Sequence, residues 1–499
     1  MDNSPTLTER IVKGSTLVVL LTLLASPFGY LLRMLYSQTL SIESFGLFYA
    51  ALALFTLVST YNDLGFGYSV SYFLPKYIKE GDYKTSWLMY KYDQLIEVGT
   101  AAALSIILIL TAPLLAQYYF KTSDATTLIY IFCIYLITNS FLSALNKAFN
   151  GLQQDSYYSS MQFVRTFFTL IFSILLWMFD QANIVYYALA WSAGYFFTSL
   201  IYNYLLYKMN PEVSGFILKW DRRIFNLMLS YAIPTLVTTT VSSFVIYIDT
   251  ITLTIFRGVK EVGIYNIALP IVSISSIFLS PINNLLFPLV SHLMEEDKEK
   301  IKKLIEMILK LIPFAGLYFS LFFILFPSTP IALLFGSKWL GLVETPLTIL
   351  AVAFIAAPLS SYLTTIVSGI GKVKERLRAS VIIALSTLVF NLLLVSRFGI
   401  VGTAISNVLI SLISVYFFGK IVQQVIPFKY PYRHYLEMFI IAIILITTSK
   451  LFPIIITSWS WYIFAGLTYS VIMFIFSYSL NILDKDSIKL IIKRKYEFK

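Results

Sequence analysis

Charge is scarce in this chain: 13% of its 499 residues are Asp, Glu, Lys or Arg, while 58% are hydrophobic. Soluble domains carry about 25% charged residues. A chain so apolar cannot cover its surface for water, so its solvent is lipid. A soluble enzyme, a disordered protein and a secreted disulfide scaffold are thereby excluded. Cysteine is nearly absent. Cys133 stands alone, which rules out an intrachain disulfide and a cysteine-ligated cluster. Only His292 and His434 are present, both at inner span ends, which argues against a histidine-built metal site. A phosphate-loop motif and a HExxH motif are also missing. The nearest string to the former, Gly369-Ile370-Gly371-Lys372, reads as a basic turn. No catalytic constellation emerges, so the chain is expected to be no enzyme and to carry no metal or cofactor, with Na+ or H+ as a candidate coupling ion.

What is abundant is the long apolar run. A hydrocarbon core of about 30 Å takes about 20 apolar residues per helix. Fourteen runs meet this, near 15–37, 44–64, 87–112, 125–149, 157–179, 183–207, 224–256, 262–291, 303–326, 342–368, 377–396, 400–421, 435–452 and 458–481. The first passes Pro27 and reaches Leu32, too long for a cleaved signal segment, and is expected to stay as a span. The net charge of +11 tests the segmentation. With the N-terminus inside, 28 of the 37 Lys and Arg fall in cytoplasmic segments and 6 in outer ones. Losing one span would invert every later loop, so this bias predicts fourteen spans with both termini cytoplasmic. It also accounts for the positive charge without nucleic acid as a partner. Trp87, Trp177, Trp339, Trp459 and Trp461 fall near span ends, where aromatic belts are expected.

The chain repeats itself. Phe45-Gly46-Leu47-Phe48-Tyr49-Ala50-Ala51-Leu52 and Val262-Gly263-Ile264-Tyr265-Asn266-Ile267-Ala268-Leu269 share a register 217 positions apart. Asn150-Gly151-Leu152 is echoed by Ser368-Gly369-Ile370, and Ile184-Val185 with Ala188 by Ile400-Val401 with Ala404. Three matches in order at one period indicate duplication. The expected architecture is an all-α integral membrane protein of two pseudo-symmetric six-helix lobes plus two C-terminal helices. Its parts would be 1–208, a cytoplasmic linker 209–223, 224–425, and 426–499 with two extra spans and a basic tail. Lobes of six spans have equal orientation, with a site expected between them near mid-membrane.

Ionisable groups inside spans cost about 2.5–3.5 kcal/mol near a helix centre, which makes them functional candidates. Arg33 lies in span one, Arg165 in span five and Asp249 in the outer part of span seven, with Arg257 a little beyond it. Asp63 ends span two and Glu97 lies in span three. Asn283 and Asn284 are adjacent amides in span eight. Together Arg33, Arg165, Arg257, Asn283 and Asn284 would line a cationic cavity for an anionic headgroup, with Asp249 and Asp63 as ion-coupling or ion-pair groups. Structural alternatives stand beside this: snorkelling for Arg33, Arg257 and Asp63, and a pair or backbone bonds for Arg165 and Asp249. Glu97 faces the basic inner rim. The run Thr238-Thr239-Thr240 with Ser242-Ser243 either lines the cavity or bonds back to its own helix. Pro270, Pro281 and Pro288, and Pro27-Phe28-Gly29, are static kinks or hinges.

The ordered strings Leu40-Ser41-Ile42-Glu43-Ser44-Phe45-Gly46-Leu47-Phe48, Leu64-Gly65-Phe66-Gly67, Phe73-Leu74-Pro75-Lys76-Tyr77, Ile248-Asp249, Phe287-Pro288, Leu334-Phe335-Gly336 and Arg397-Phe398-Gly399-Ile400-Val401-Gly402-Thr403-Ala404 carry a resemblance. Up to about residue 425 the chain resembles the polysaccharide-biosynthesis (O-antigen or oligosaccharide) flippase branch of the multidrug/oligosaccharidyl-lipid/polysaccharide exporter superfamily. The resemblance implies a two-lobed bundle in the plasma membrane. Such a bundle moves a polyprenyl- or dolichyl-(pyro)phosphate-linked oligosaccharide from the cytoplasmic to the outer leaflet. Membrane lipids would surround it, glycosyltransferases are candidate partners, and it would act as a monomer. Asp249 matches the family's acidic position before the second glycine motif. Gln38 and Tyr72 stand where the family often has basic residues. The alternatives are a cation-coupled multidrug antiporter of the same superfamily and a membrane-embedded sugar polymerase or ligase.

Overall fold

The computed structural model describes residues 25–212, 216–451 and 458–479, and every regular element among them is helical. Lipid explains this: backbone groups in hydrocarbon must find partners within their own segment. In order, the helices are α1 (25–39), α2 (Ile42–Ser59), α3 (Phe66–Lys79), α4 (Tyr83–Leu114), α5 (Ala125–Gly151), α6 (Asp155–Met178), α7 (Ile184–Met209) and α8 (Arg222–Arg257). Then come α9 (Val259–Glu296), α10 (Lys298–Leu325), α11 (Glu344–Gly369), α12 (Val373–Phe390), α13 (Ser396–Val425), α14 (Tyr432–Leu451) and α15 (Trp459–Ser479). Each apolar run expected from the sequence overlaps one of these. Among the described residues, ten helical segments are long and apolar enough to cross a membrane. One of the ten, Val373–Val425, has 53 residues. As a straight helix it would be about 80 Å long, far beyond the hydrocarbon thickness. The chain instead turns at Gly399, whose φ of 59° and ψ of −135° leave the helical region, and α12 and α13 pack on each other. The sharp turn is tight: a Cβ on Gly402 would strike the Leu394 carbonyl.

The element without a counterpart among the expected spans is α3. It has 14 residues, with Phe66, Gly67, Ser69, Val70 and Leu74 buried and Tyr68, Tyr72, Lys76 and Lys79 exposed. This one-sided pattern is that of a helix lying on a protein surface rather than spanning lipid.

The chain divides into two compact units, 1–263 and 264–499. The seventh expected span, α8, was assigned to the second lobe. Its contacts place it in the first unit, against α2, α3 and α4. The two units repeat one packing scheme. In the first, α5 packs on α4 and α7, and α6 on α7; in the second, α11 packs on α10 and α13, and α12 on α13. Both α4 and α10 are followed by a wide π turn ending in a buried phenylalanine, Phe120 or Phe335, and then a left-handed residue, Lys121 or Gly336. Gly151 closes α5 against Val70 and Leu74 of α3, and Gly369 closes α11 against Phe287 and Val290 of α9. The end of α9 thus does in the second unit what α3 does in the first. Helices α14 and α15 lie on α10, where the Tyr469 hydroxyl donates to the Tyr318 carbonyl at 2.7 Å.

Inside the first unit the glycines of the duplicated motif meet. A Cβ on Gly46 would collide with the Val259 carbonyl, and one on Gly263 would approach the Ile42 carbonyl at 2.9 Å. Glycine is required here because two backbones touch. The tryptophans split: Trp177, Trp459 and Trp461 are exposed as an aromatic belt expects, but Trp87 and Trp339 are buried. Trp87 donates to the Phe216 carbonyl at 3.0 Å, so its amphipathic end is satisfied inside the protein.

Candidate functional site

The first unit contains two arrangements of charge within its helices. The first is an aromatic ladder with an arginine at each end. The Arg33 guanidinium of α1 lies over the Tyr49 ring of α2 at 4.3 Å. From Tyr49 the rings run through Phe48 (5.5 Å) to Trp191 of α7 (5.8 Å) and on to Tyr195 (6.2 Å). Over Tyr195, at 4.7 Å, lies the Arg165 guanidinium of α6, which also donates to the Tyr195 hydroxyl at 2.8 Å. Tyr36 of α1 supports the ladder, stacked on Tyr187 at 4.3 Å and bonded to Ser173 at 2.8 Å. A guanidinium over a ring gains about 0.5–2 kcal/mol and keeps its charge. Among the described residues no carboxylate lies within ion-pair distance of Arg165, which is half-buried. Its environment positions the cation and leaves its charge uncompensated, the condition in which a phosphate or other oxyanion binds by charge-assisted, bidentate bonds.

The second arrangement is the reverse. Lys147 of α5 reaches the Asp63 carboxylate at 2.7 Å and also pairs with Glu97 of α4. Glu97 accepts from Ser143 at 3.3 Å. Asp93, one helical turn before Glu97, is fully buried beside them. Asp63 holds a turn as well: its second oxygen accepts the Gly65 amide at 2.9 Å. Room for Lys147 comes from Gly67, where a Cβ would occupy the space of the lysine side chain.

The remaining sequence candidates are distributed as follows. Asp249 is buried on α8, in the first unit. Arg257 is exposed at the C-terminal end of the same helix. Asn283, on α9 in the second unit, donates to Ser361 of α11 at 3.0 Å. Asn284 lies in α9, but its side chain is outside the described residues, as are those of Thr238, Thr239, Thr240 and Ser242. Asp63, expected as an ion-coupling or ion-pair group, lies 2.7 Å from the Lys147 ammonium. Sequence reasoning missed Asp93, and Lys147 is one of the 28 cations it counts as cytoplasmic. The available signal was that Asp93 and Glu97 stand four apart within one apolar run, and so share a helix face.

The sequence profile of the polysaccharide biosynthesis protein family matches residues 11–294. An uncharacterised membrane protein of Methanocaldococcus jannaschii is 26% identical over 438 residues, covering 83% of this chain and 85% of that protein. Among solved structures, the lipid II flippase MurJ in an inward closed conformation superposes with a TM-score of 0.71. It shares 16% identity, over 93% of this chain and 99% of that one. A multidrug resistance MATE family transporter of the MOP superfamily, inward-facing, gives 0.68 at 15% identity, over 80% of this chain and 95% of that one. At these identities the likeness is one of fold.

Proposed function

Since the chain belongs to the polysaccharide biosynthesis protein family and is a multi-pass membrane protein with the fold of MurJ and MATE transporters, we propose that it is a flippase for a lipid-linked oligosaccharide. Its substrate is a polyprenyl- or dolichyl-(pyro)phosphate-linked sugar chain, carried from the cytoplasmic to the outer leaflet of the plasma membrane by alternating access. It performs no covalent chemistry of its own. The obstacle it removes is physical. Phosphate and sugar hydroxyls stripped of water in hydrocarbon cost several kcal/mol per unpaired group. A polar path for the headgroup, with the tail left in lipid, lowers that cost.

The observation that carries this reading is Arg165: a span-embedded guanidinium positioned by Tyr195, with no carboxylate to neutralise it among the described residues. Arg33 at the other end of the ladder is its partner in holding phosphate, with Arg257 of the same unit as a further headgroup contact. Asp249 takes the coupling role, for H+ or Na+. One charge crossing 100 mV changes the energy by about 2.3 kcal/mol, enough to bias a two-state transporter.

The test is reconstitution of the purified chain with a polyprenyl-pyrophosphate-linked oligosaccharide. Exposure of the sugar at each leaflet is read with an impermeant lectin or glycosidase. Wild type should equilibrate the sugar between leaflets, and Arg165→Ala should slow this by about 10- to 100-fold, the worth of one charged hydrogen-bonded contact. Equal rates for the two proteins would remove Arg165 from the headgroup path. No transfer by wild type under an imposed proton or sodium gradient would remove the substrate assignment.

A further inference from the structure

The Lys147 cluster contains more negative charge than its lysine can offset. Three carboxyls, Asp63, Asp93 and Glu97, face one ammonium. Asp63 is satisfied by Lys147 and by the Gly65 amide. The excess therefore sits on α4. Asp93 and Glu97 are 0% and 1% exposed, neither oxygen of Asp93 accepts a hydrogen bond, and the second oxygen of Glu97 accepts none either. Two ionised carboxyls one helical turn apart, with three oxygens lacking donors, would each carry an uncompensated desolvation cost in a low-dielectric interior. A ligand that removes one charge removes that cost. Among the described residues no group of acids is arranged to hold a metal ion.

We propose that Asp93 and Glu97, together with Lys147, form a proton-binding site, whose occupancy sets the hold of Lys147 on the turn between α2 and α3. As a proton site it stands without the transport reading; as a coupling group of a flippase in addition to Asp249 it rests on that reading. With one proton shared by the pair, Lys147 bridges Glu97 and Asp63. When that proton leaves to water, the second carboxylate draws the ammonium toward α4 and away from Asp63. The turn that Asp63 secures is strained: Leu64 has φ 48° and Gly65 φ 83°. It is also seated on α8, where the Thr235 hydroxyl approaches the Gly65 carbonyl at 3.3 Å and a Cβ on Gly65 would strike Ala232. Loosening Asp63 therefore loosens the contact between this turn and α8.

The groups acting on the two carboxyls are Lys147 and Ser143 from α5 and Asp63 from the turn, with Tyr90 on α4 itself coupled to both. Lys91, also on α4, is turned to Gln94 and to Tyr207 of α7. Among the described residues, α3 and α8, the other long helices on α4, bring no charged group into this set.

The experiment is infrared difference spectroscopy on the purified full-length protein, without substrate, titrated with acid and base in sodium-free and in sodium-containing buffer. Wild type should show a carboxylic C=O band that disappears on alkalinisation, is unaffected by sodium, and is absent in Asp93→Asn or transferred to a shifted position in Glu97→Gln. A band unchanged in both variants, or one displaced by sodium at constant pH, would overturn the proton site. A second readout is thiol labelling at Tyr68→Cys, an exposed α3 position, in a Cys133→Ser background. Its rate should change with pH in wild type and lose that dependence with Asp93→Asn. A pH dependence that survives the substitution would overturn the link to the turn. Neither readout requires transport, so a failed flippase assay and a failed proton site are told apart.

Discussion

Lys147 and Arg165 each project from a helix of the first unit, α5 and α6, yet one is met by carboxylates and the other by rings. Lys147 has Asp63 and Glu97 on it and Asp93 beside it; Arg165 has Tyr195 above and a hydroxyl to bond. The difference separates two uses of an expensive residue. A cation whose charge is neutralised by its own fold holds helices together. A cation kept charged by a neutral aromatic platform is available to something that arrives. Burial alone does not distinguish them, since both are half-buried; the identity of the neighbours does.

Deleting each cation in turn separates the two uses most strongly. Lys147→Met leaves two or three carboxyls without their counter-charge, and removal of one member of a buried pair costs about 3–5 kcal/mol. Unfolding in detergent should show a loss of that size. Arg165→Met removes the ring contact and the bond to the Tyr195 hydroxyl and should cost less, about 1–2 kcal/mol, while slowing headgroup transfer by about 10- to 100-fold. If the two losses of stability were equal, the distinction would fail.

A smaller effect is expected at Gly67, beside Lys147. Gly67→Ala places a methyl group where the lysine chain runs. The flexible end of the chain shifts to accommodate it, at about 1–3 kcal/mol for overpacking, and the ion pair with Asp63 is weakened. Combining Gly67→Ala with Asp63→Asn should then add less than the sum of the two, as expected of neighbours sharing one interaction.

The smallest effect lies at the start of α4, which carries Asp93 and Glu97. Asp82 caps this helix: its carboxylate accepts the Thr85 amide at 3.0 Å and the Thr85 hydroxyl at 2.6 Å, and these bonds hold its pKa below the usual carboxylate value. A carboxyl depressed in the folded state contributes stability above its unfolded pKa and loses it as pH falls through the folded one. Asp82→Ala should therefore destabilise by about 1 kcal/mol at neutral pH, and the difference from wild type should shrink on acidification below the ordinary carboxylate range. A gap that did not change with pH would assign the loss to something other than the cap.

The helices were legible because lipid demands apolar residues on every side, and such runs stand out in composition. The duplication was legible because glycines at backbone contacts, Gly46 with Gly263, and Gly151 and Gly369 under a neighbouring helix, tolerate no other residue. Helix α3 was not legible as a span, since only one side of it is apolar. The place of α8 depends on which neighbours it packs against, and hydropathy carries no record of that. Arg33 and Arg165 were found because charge in a span is conspicuous. The role of Lys147 was hidden because the charge bias of loops counts lysines without regard to their direction. Asp93 was overlooked at the inner end of a span, where a carboxylate reads as interfacial until its burial is seen.

Headgroup binding by Arg165 carries the proposed function. Its most direct test is the affinity of purified protein for a polyprenyl-pyrophosphate-linked oligosaccharide, measured for wild type, Arg165→Lys and Arg165→Ala at matched unfolding temperature. Affinity should weaken stepwise in that order, with a shallower salt dependence in Arg165→Ala. Unchanged affinity and salt dependence in Arg165→Ala would contradict it.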